Sequence, residues 1–86
     1  MFEKLLRNWM ESKNVEEFNI TCAFGEPFEI SDEDGLYYVE ELFFYEDEKE
    51  LWAWCMDVDG ETFEKPCIVP PNEMELKIIN WLTNNA

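Results

Sequence analysis

The chain has 86 residues, of which 47% are hydrophobic and 16% are aromatic. This length fits one domain, residues 1–86, and the many large apolar side chains separate it from disordered acidic tails. Its 21 acidic and six basic residues give a net charge of −15, which argues against direct binding to nucleic acid or to an anionic membrane surface. We therefore expect a charged partner to be basic.

The sequence has no histidine, so it lacks the commonest general base and the commonest transition-metal ligand. Glu40 and Asp57 could face each other as an acid and base pair, but among so many acids such a pair arises by chance. The acidic turn at residues 57–61 lacks the spacing of an EF-hand and is typical of ordinary turns. We predict no enzyme activity, no cofactor and no metal site.

Three cysteines, Cys22, Cys55 and Cys67, lack the spacing of a zinc site, and their odd number does not suit a disulfide framework. We expect them to be buried free thiols. Charged residues interrupt the apolar residues at positions 1–7, so we expect neither a signal peptide nor a membrane span. The expected location is the cytoplasm, or the host cytoplasm if a phage encodes the chain.

The first predicted elements are a helix and a strand. Apolar residues at helical spacing predict an amphipathic helix over residues 2–13. Alternating apolar residues from Phe18 to Phe24 predict a half-buried strand, which residues 28–30 extend beyond a break at Gly25. A polar turn at residues 31–35 follows.

Two long strands are predicted next, over residues 36–45 and 51–58, joined by an acidic hairpin. The first strand has no clean alternation, which indicates a bulge at Glu40 and Glu41 or an undefined register. In the second strand, the face with Trp52 and Trp54 is the predicted core face, which we favour over a stacking platform for single-stranded nucleic acid.

The last predicted strand runs from Glu61 to about Val69, and Pro66 within it indicates an edge position or an early end. A C-terminal helix begins at Asn72. The predicted fold is therefore α+β: an N-terminal helix, a three- to four-stranded antiparallel meander and a C-terminal helix, with both helices on one sheet face. The other face is expected to carry aromatic side chains among carboxylates.

The charge is unevenly distributed along the chain. Residues 16–64 hold 17 acids and one base, a net charge of −16, whereas residues 1–15 have two acids and three bases, a net of +1. In residues 65–86, two acids balance two bases. Acidity that served solubility alone would be expected on the helices as well, so this segregation favours recognition of a basic macromolecule.

No stretch of the sequence reproduces a family motif, so the functional hypothesis rests on analogy with a class of proteins. Small acidic proteins without catalytic residues include nucleic-acid mimics with which phages and mobile elements block restriction or CRISPR systems, and immunity proteins against basic toxins. We expect an inhibitor that binds a basic, nucleic-acid-binding protein through its acidic meander. The alternative is a structural or assembly protein that forms a homodimer through exposed aromatic residues, with acidity serving solubility only. The predicted partner-binding residues are Asp32, Glu33, Asp34, Glu40, Glu41, Glu46, Asp47, Glu48, Glu50, Asp57, Asp59, Glu61, Tyr37 and Tyr45.

Overall fold

The fold is described from a computed structural model, which describes residues 2–33, 35–45, 50–66 and 72–86. These residues form three helices and five strands, and the α+β prediction is confirmed. The elements in chain order are α1 (Phe2–Lys13), β1 (Glu17–Asn19), α2 (Ile20–Phe24), β2 (Phe28–Asp32), β3 (Gly35–Phe44), β4 (Leu51–Asp57), β5 (Thr62–Pro66) and α3 (Asn72–Asn84).

The strands form one antiparallel sheet in which β3 is the central element. The order is β1-β3-β4-β5, and β2 also pairs with β3. Strand β1 lies beside the end of β3, where Phe18 pairs with Leu42, and β2 lies beside its beginning, where Phe28 pairs with Val39. Thus β1 and β2 share one edge of β3. Pro66 is the last described residue of β5, which lies at the edge of the described sheet as the missing N–H group of Pro66 predicts, and the remainder of the strand predicted to about Val69 lies outside the described residues.

A β-bulge at Glu40 explains why β3 shows no single alternation in the sequence. The pairing of β3 with β4 passes from Val39 and Cys55 directly to Glu41 and Trp54, so Glu40 is an extra residue. One extra residue reverses the alternation of the side chains that follow it. The predicted bulge is therefore confirmed, and it places Val39 and Leu42 on the same face of the sheet.

The strand predicted from Phe18 to Phe24 is wrong beyond Asn19, because the chain turns there into the short helix α2. The Asn19 side chain caps this helix by accepting a hydrogen bond from the backbone N–H of Cys22 at 2.8 Å. Gly25 ends it in the left-handed conformation, with φ of 84°. Over so short an apolar segment, the alternation of a strand cannot be distinguished from the periodicity of a helix.

The core lies between the helices and one face of the sheet, which we call the core face. Helix α1 contributes Phe2, Leu6 and Met10, and α3 contributes Met74, Ile78 and Leu82. The buried sheet residues of this core are Phe18, Tyr37, Val39, Leu42, Leu51, Ala53 and Cys55. Both long helices therefore cover one sheet face, as predicted.

The predicted core face of β4 is wrong. Leu51, Ala53 and Cys55 are at most 3% exposed, whereas Trp52 and Trp54 are half-buried and do not pack against the core. The physical reason is volume: the two helices already supply large side chains, so small residues of β4 fill the remaining space.

An ion pair joins the outer strands β2 and β5 over the core face. Lys65 of β5 lies 2.9 Å from the Asp32 carboxylate of β2, although β3 and β4 separate these strands. The Tyr37 hydroxyl donates to the same carboxylate at 2.7 Å, and the Tyr37 ring meets Phe63 edge-on at 5.8 Å. Contacts over the core face therefore join β2 and β5 to the core residue Tyr37 of β3.

Deletion of Glu40 should leave the molecule folded. Without this residue, Val39 and Glu41 become neighbours in a regular strand, and every other side chain keeps its face. We expect a loss of about 1 kcal/mol in the free energy of unfolding, measured by urea denaturation. Deletion of Trp54 from β4 is the control, because it reverses the faces of part of that strand and should abolish the cooperative transition. Equal effects of the two deletions would contradict the assigned bulge.

The Tyr37 hydroxyl makes the free energy of unfolding depend on pH in the alkaline range. Burial first, and then the hydrogen bond to Asp32, raise the pKa of Tyr37 from 10.0 to about 12. The neutral phenol is thus favoured in the folded state, so its contribution to stability is complete below pH 10 and is lost as the pH rises through about 12. Tyr37→Phe should lower the free energy of unfolding by about 1 kcal/mol at neutral pH.

The difference between Tyr37→Phe and the unaltered chain should shrink between pH 10 and pH 12 in urea unfolding curves. A difference that stays constant over this interval would show that the Tyr37 hydroxyl does not titrate as its surroundings indicate.

Candidate functional site

The face of the sheet opposite the core face, which we call the open face, carries aromatic side chains among carboxylates. In the described part of the chain, no residue of this face belongs to the core or packs against it. The strand register shows which side chains lie on this face, and they form three rows across the strands. They are Glu17, Phe43, Trp52 and Pro66; Asn19, Glu41, Trp54 and Glu64; and Glu29, Tyr38, Met56 and Thr62.

The middle row places one indole between two carboxylates. Trp54 on β4 pairs directly with Glu41 on β3 and with Glu64 on β5. Side chains paired in this way have Cβ atoms about 4.5 to 5.5 Å apart. The Asn19 side chain donates a hydrogen bond to Glu41 Oε1 at 3.3 Å, and the Tyr45 hydroxyl donates to Glu64 Oε2. Each carboxylate is thus oriented by a neighbouring side chain.

The row nearest the hairpin between β3 and β4 is an aromatic cluster. The Tyr45 ring meets Phe43 at 5.3 Å and Trp52 at 5.1 Å between ring centroids, edge to face in both cases. Such contacts stabilise aromatic side chains that have one side toward solvent. Tyr45 is 37% exposed, in agreement with its predicted place outside the core.

Glu41 carries the one perturbed carboxyl group found on this face among the described residues. Partial burial, followed by the nearby charges of Glu17 and Glu40, raises the pKa of Glu41. Among the described residues, ion pairs join Lys65 to Asp32 and Lys77 to Glu73, and neither Glu41 nor Glu64 has a cation beside it. The open face therefore holds negative charge that its own residues do not neutralise.

The described basic residues all lie on the helical side of the sheet. Three of them rest on aromatic rings of the core face: the Arg7 guanidinium carbon lies 4.1 Å from the ring centre of Phe44, Lys65 Nζ 4.5 Å from that of Tyr37, and Lys77 Nζ 5.7 Å from that of Phe28. Lys4 and Lys13 belong to helix α1. The segregation of charge along the sequence is therefore also a segregation in space.

Four of the predicted acids lie at one end of the sheet. Asp32 is the last residue of β2 and Glu33 follows it, and the turn between β4 and β5 holds Asp59 and Glu61; both places lie where β3 begins. Glu50 lies at the opposite end, before β4. The predicted binding residues Asp34, Glu46, Asp47 and Glu48 lie outside the described residues, as does Cys67.

Two predicted positions need correction. Tyr37 is 7% exposed and lies on the core face, so it is not an exposed contact residue. Glu40 and Asp57 do not face each other, because Asp57 pairs with Tyr37 and Glu40 is the bulge residue. The Asp57 carboxylate instead accepts hydrogen bonds from the backbone N–H groups of Asp59 and Glu61, both at 2.9 Å, which is ordinary turn chemistry.

Sequence reasoning missed the open-face partners of the predicted residues. Glu17, Glu29 and Glu64 lie on this face, and so do Trp52 and Trp54, which were assigned to the core. The signal that could have placed Trp54 outside is the bulge itself. Once Glu41 is set outward by the extra residue, its direct partner on β4 must point outward as well.

Other groups do not converge on a reactive site. Burial raises the pKa of the Cys55 thiol to about 11, which keeps it protonated, whereas Cys22 is exposed, contrary to the expectation of burial. Within the described ranges, no group of His, Cys, Asp or Glu residues is arranged to hold a metal ion, and no helix is long and apolar enough to span a membrane. The larger described cleft, between β2 and α3, is open and contains Lys77.

Glu41→Gln should stabilise the fold at neutral pH. Because the folded state raises the pKa of Glu41, it favours the protonated acid, and the ionised side chain lowers stability once the pH exceeds the raised value. Glutamine cannot ionise, and its carbonyl can still accept the Asn19 hydrogen bond. The variant should melt at a higher temperature than the unaltered chain at pH 7, and the gain should vanish below the ordinary pKa of a glutamate.

Glu29→Gln is the matched control, because it removes the same charge from an exposed position of the same face. Equal gains in melting temperature for both variants would attribute the effect to the net charge rather than to the surroundings of Glu41.

Comparison of the chain with models of protein families, with curated proteins and with solved structures finds no match. The features available for a functional argument are thus the two sides of the sheet, one aromatic and acidic, the other holding the described basic residues.

Proposed function

We propose that this chain is a non-enzymatic acidic protein that binds a basic, nucleic-acid-binding protein through its meander and occupies the surface on which that protein holds nucleic acid. The observation that carries the proposal is the separation of charge in space. The described basic residues lie on the helical side, whereas within the described ranges the open-face carboxylates Glu41 and Glu64 have no cation beside them.

The density of charge supports a likeness to nucleic acid. Residues 16–64 carry a net charge of −16, and the largest dimension of the molecule is 35 Å. Duplex DNA has one negative charge per roughly 1.7 Å, so a segment of that length carries roughly 20 charges. A groove that attracts phosphates at this spacing would attract the meander as well.

The aromatic side chains support binding of a protein rather than a purely electrostatic association. Trp and Tyr are enriched in the energetically dominant parts of protein interfaces, where they combine a large apolar surface with a polar group. Trp52, Trp54, Phe43 and Tyr38 are half-buried on the open face, and carboxylates surround them. This pattern of an aromatic centre and a charged rim is typical of an interface.

Absence of catalysis is part of the proposal. The sequence lacks histidine, and the thiol of Cys55 is held protonated by burial. The class this resembles is that of acidic inhibitors, such as the nucleic-acid mimics with which phages and mobile elements block defence systems, or immunity proteins. A cytoplasmic location follows from such a role and is proposed with it.

Self-association through the aromatic residues is the second candidate function. The half-buried aromatic residues of the open face favour it, but a second copy would bring carboxylates such as Glu29, Glu41 and Glu64 against each other. Like charges set together across an interface cost several kcal/mol. A homodimer of this kind would need high salt, so size-exclusion chromatography should show more dimer as the salt concentration rises, whereas binding to a basic partner should weaken.

A pair of charge reversals on the meander tests the proposal. Glu17→Lys combined with Glu29→Lys changes two exposed residues of the open face. The probe is the protein fraction of the native host that DNA-cellulose retains, applied to the immobilised chain. We expect capture of a nucleic-acid-binding protein by the unaltered chain and an affinity at least about tenfold lower for the double variant.

Glu11→Lys combined with Glu73→Lys is the matched control, because it makes the same change in charge on α1 and α3, and it should bind almost as well as the unaltered chain. Duplex DNA or RNA should release the captured protein, as should rising salt. The proposal is wrong if the captured protein holds nucleic acid and this chain at once, or if both double variants bind equally well.

A further inference from the structure

We infer that Trp54, with Glu41 and Glu64 on either side, receives an arginine side chain of the partner. This inference rests on the proposed function and names the group that the open face recognises. It concerns the middle row of the face, where a single indole has a carboxylate as its direct neighbour on each adjacent strand.

The spacing of the row suits a guanidinium group. Adjacent strands lie about 4.8 Å apart, so the two carboxylate-bearing strands are separated by roughly 9.6 Å with the indole between them. A guanidinium that stacks on the face of Trp54 has N–H donors at its edges, directed toward Glu41 on one side and Glu64 on the other. Stacking and charge-assisted hydrogen bonding thus act on the same group.

The two carboxylates are held in place before a ligand arrives. Asn19 donates to one oxygen of Glu41, and Tyr45 donates to one oxygen of Glu64, so each carboxylate keeps a second oxygen for a ligand. Oriented groups lose less side-chain entropy when they bind. The part of the chain that the structure describes supplies neither of them with a cation.

The chemistry favours arginine over lysine. A guanidinium is planar, stacks on aromatic rings and is less strongly hydrated than an ammonium group, and its donors can reach two acceptors in fixed directions. A lysine is a point charge that would pair with Glu41 or Glu64 at its tip. The charge of the row also argues against a second copy of this chain as the occupant, since the copy would present its own glutamates.

The test uses two defined probes, hexa-arginine and hexa-lysine peptides with blocked ends, titrated into the full chain by calorimetry at low salt. The unaltered chain should bind hexa-arginine more tightly than hexa-lysine. Trp54→Leu keeps apolar bulk but removes the ring; it should weaken hexa-arginine binding about tenfold and remove most of the preference for arginine.

Glu41→Gln and Glu64→Gln should each weaken hexa-arginine binding by about three- to tenfold. Glu29→Gln removes the same charge from the same face outside the row, and its effect should stay within about twofold. Thermal unfolding of Glu41→Gln checks that its loss of affinity does not come from unfolding. Thermal unfolding of Trp54→Leu checks that this variant remains folded, and Trp54→Phe, which retains a ring, should recover part of the affinity.

The outcomes separate this inference from the proposed function. If hexa-arginine binds and rising salt weakens it, but Trp54→Leu and Glu29→Gln have equal, small effects, the acidic face binds bases without this site and the inference is overturned. If neither peptide binds at low salt, both the inference and the proposed function fail. If Trp54→Leu instead raises the monomer fraction in sedimentation velocity and the peptides do not bind, the face joins two copies and the inference is wrong.

Discussion

The extra residue in β3 is the constraint on which both faces of the sheet depend. Before Glu40, the odd-numbered residues Tyr37 and Val39 face the helices, and after it the even-numbered Leu42 and Phe44 do. A regular strand with this sequence would place either the first pair or the second on the open face. The bulge resolves this conflict, and the same shift sets Glu41 outward beside Trp54. Core and candidate site are thus consequences of one local irregularity.

Electrostatics and packing act in opposite directions in this molecule. Concentrating carboxylates on one side lowers stability through their mutual repulsion. At Glu41, burial and then the charges of Glu17 and Glu40 raise the pKa. The apolar contacts that offset this repulsion are on the other side, where residues of α1 and α3 such as Leu6 and Ile78 are completely buried. A small domain has little stability to spare. An unfavourable charge distribution that persists there is more readily explained by binding than by solubility.

The sequence was sufficient to predict an element where one periodicity of apolar residues dominated. The apolar stripe from Phe2 predicted α1 correctly, and the long strands β3 and β4 lie close to their predicted bounds. It was insufficient at residues 20–24, where a capping asparagine and a left-handed glycine convert an alternating segment into α2. It also misplaced Trp52 and Trp54, because hydrophobicity alone ranks tryptophan above alanine as a core residue. The position of each depends on pairing with β3 and on the volume that the helices leave.

The placement of the cations on rings of the core face has a consequence for the approach of a partner. Arg7, Lys65 and Lys77 are held by Phe44, Tyr37 and Phe28 on the side away from the open carboxylates. Positive and negative charges whose centres differ in position form a permanent electric dipole. In the field of a basic protein such a dipole experiences a torque that turns the acidic end forward. Under the proposed function, the chain would therefore turn its open face toward a basic partner while the two molecules are still separated by solvent.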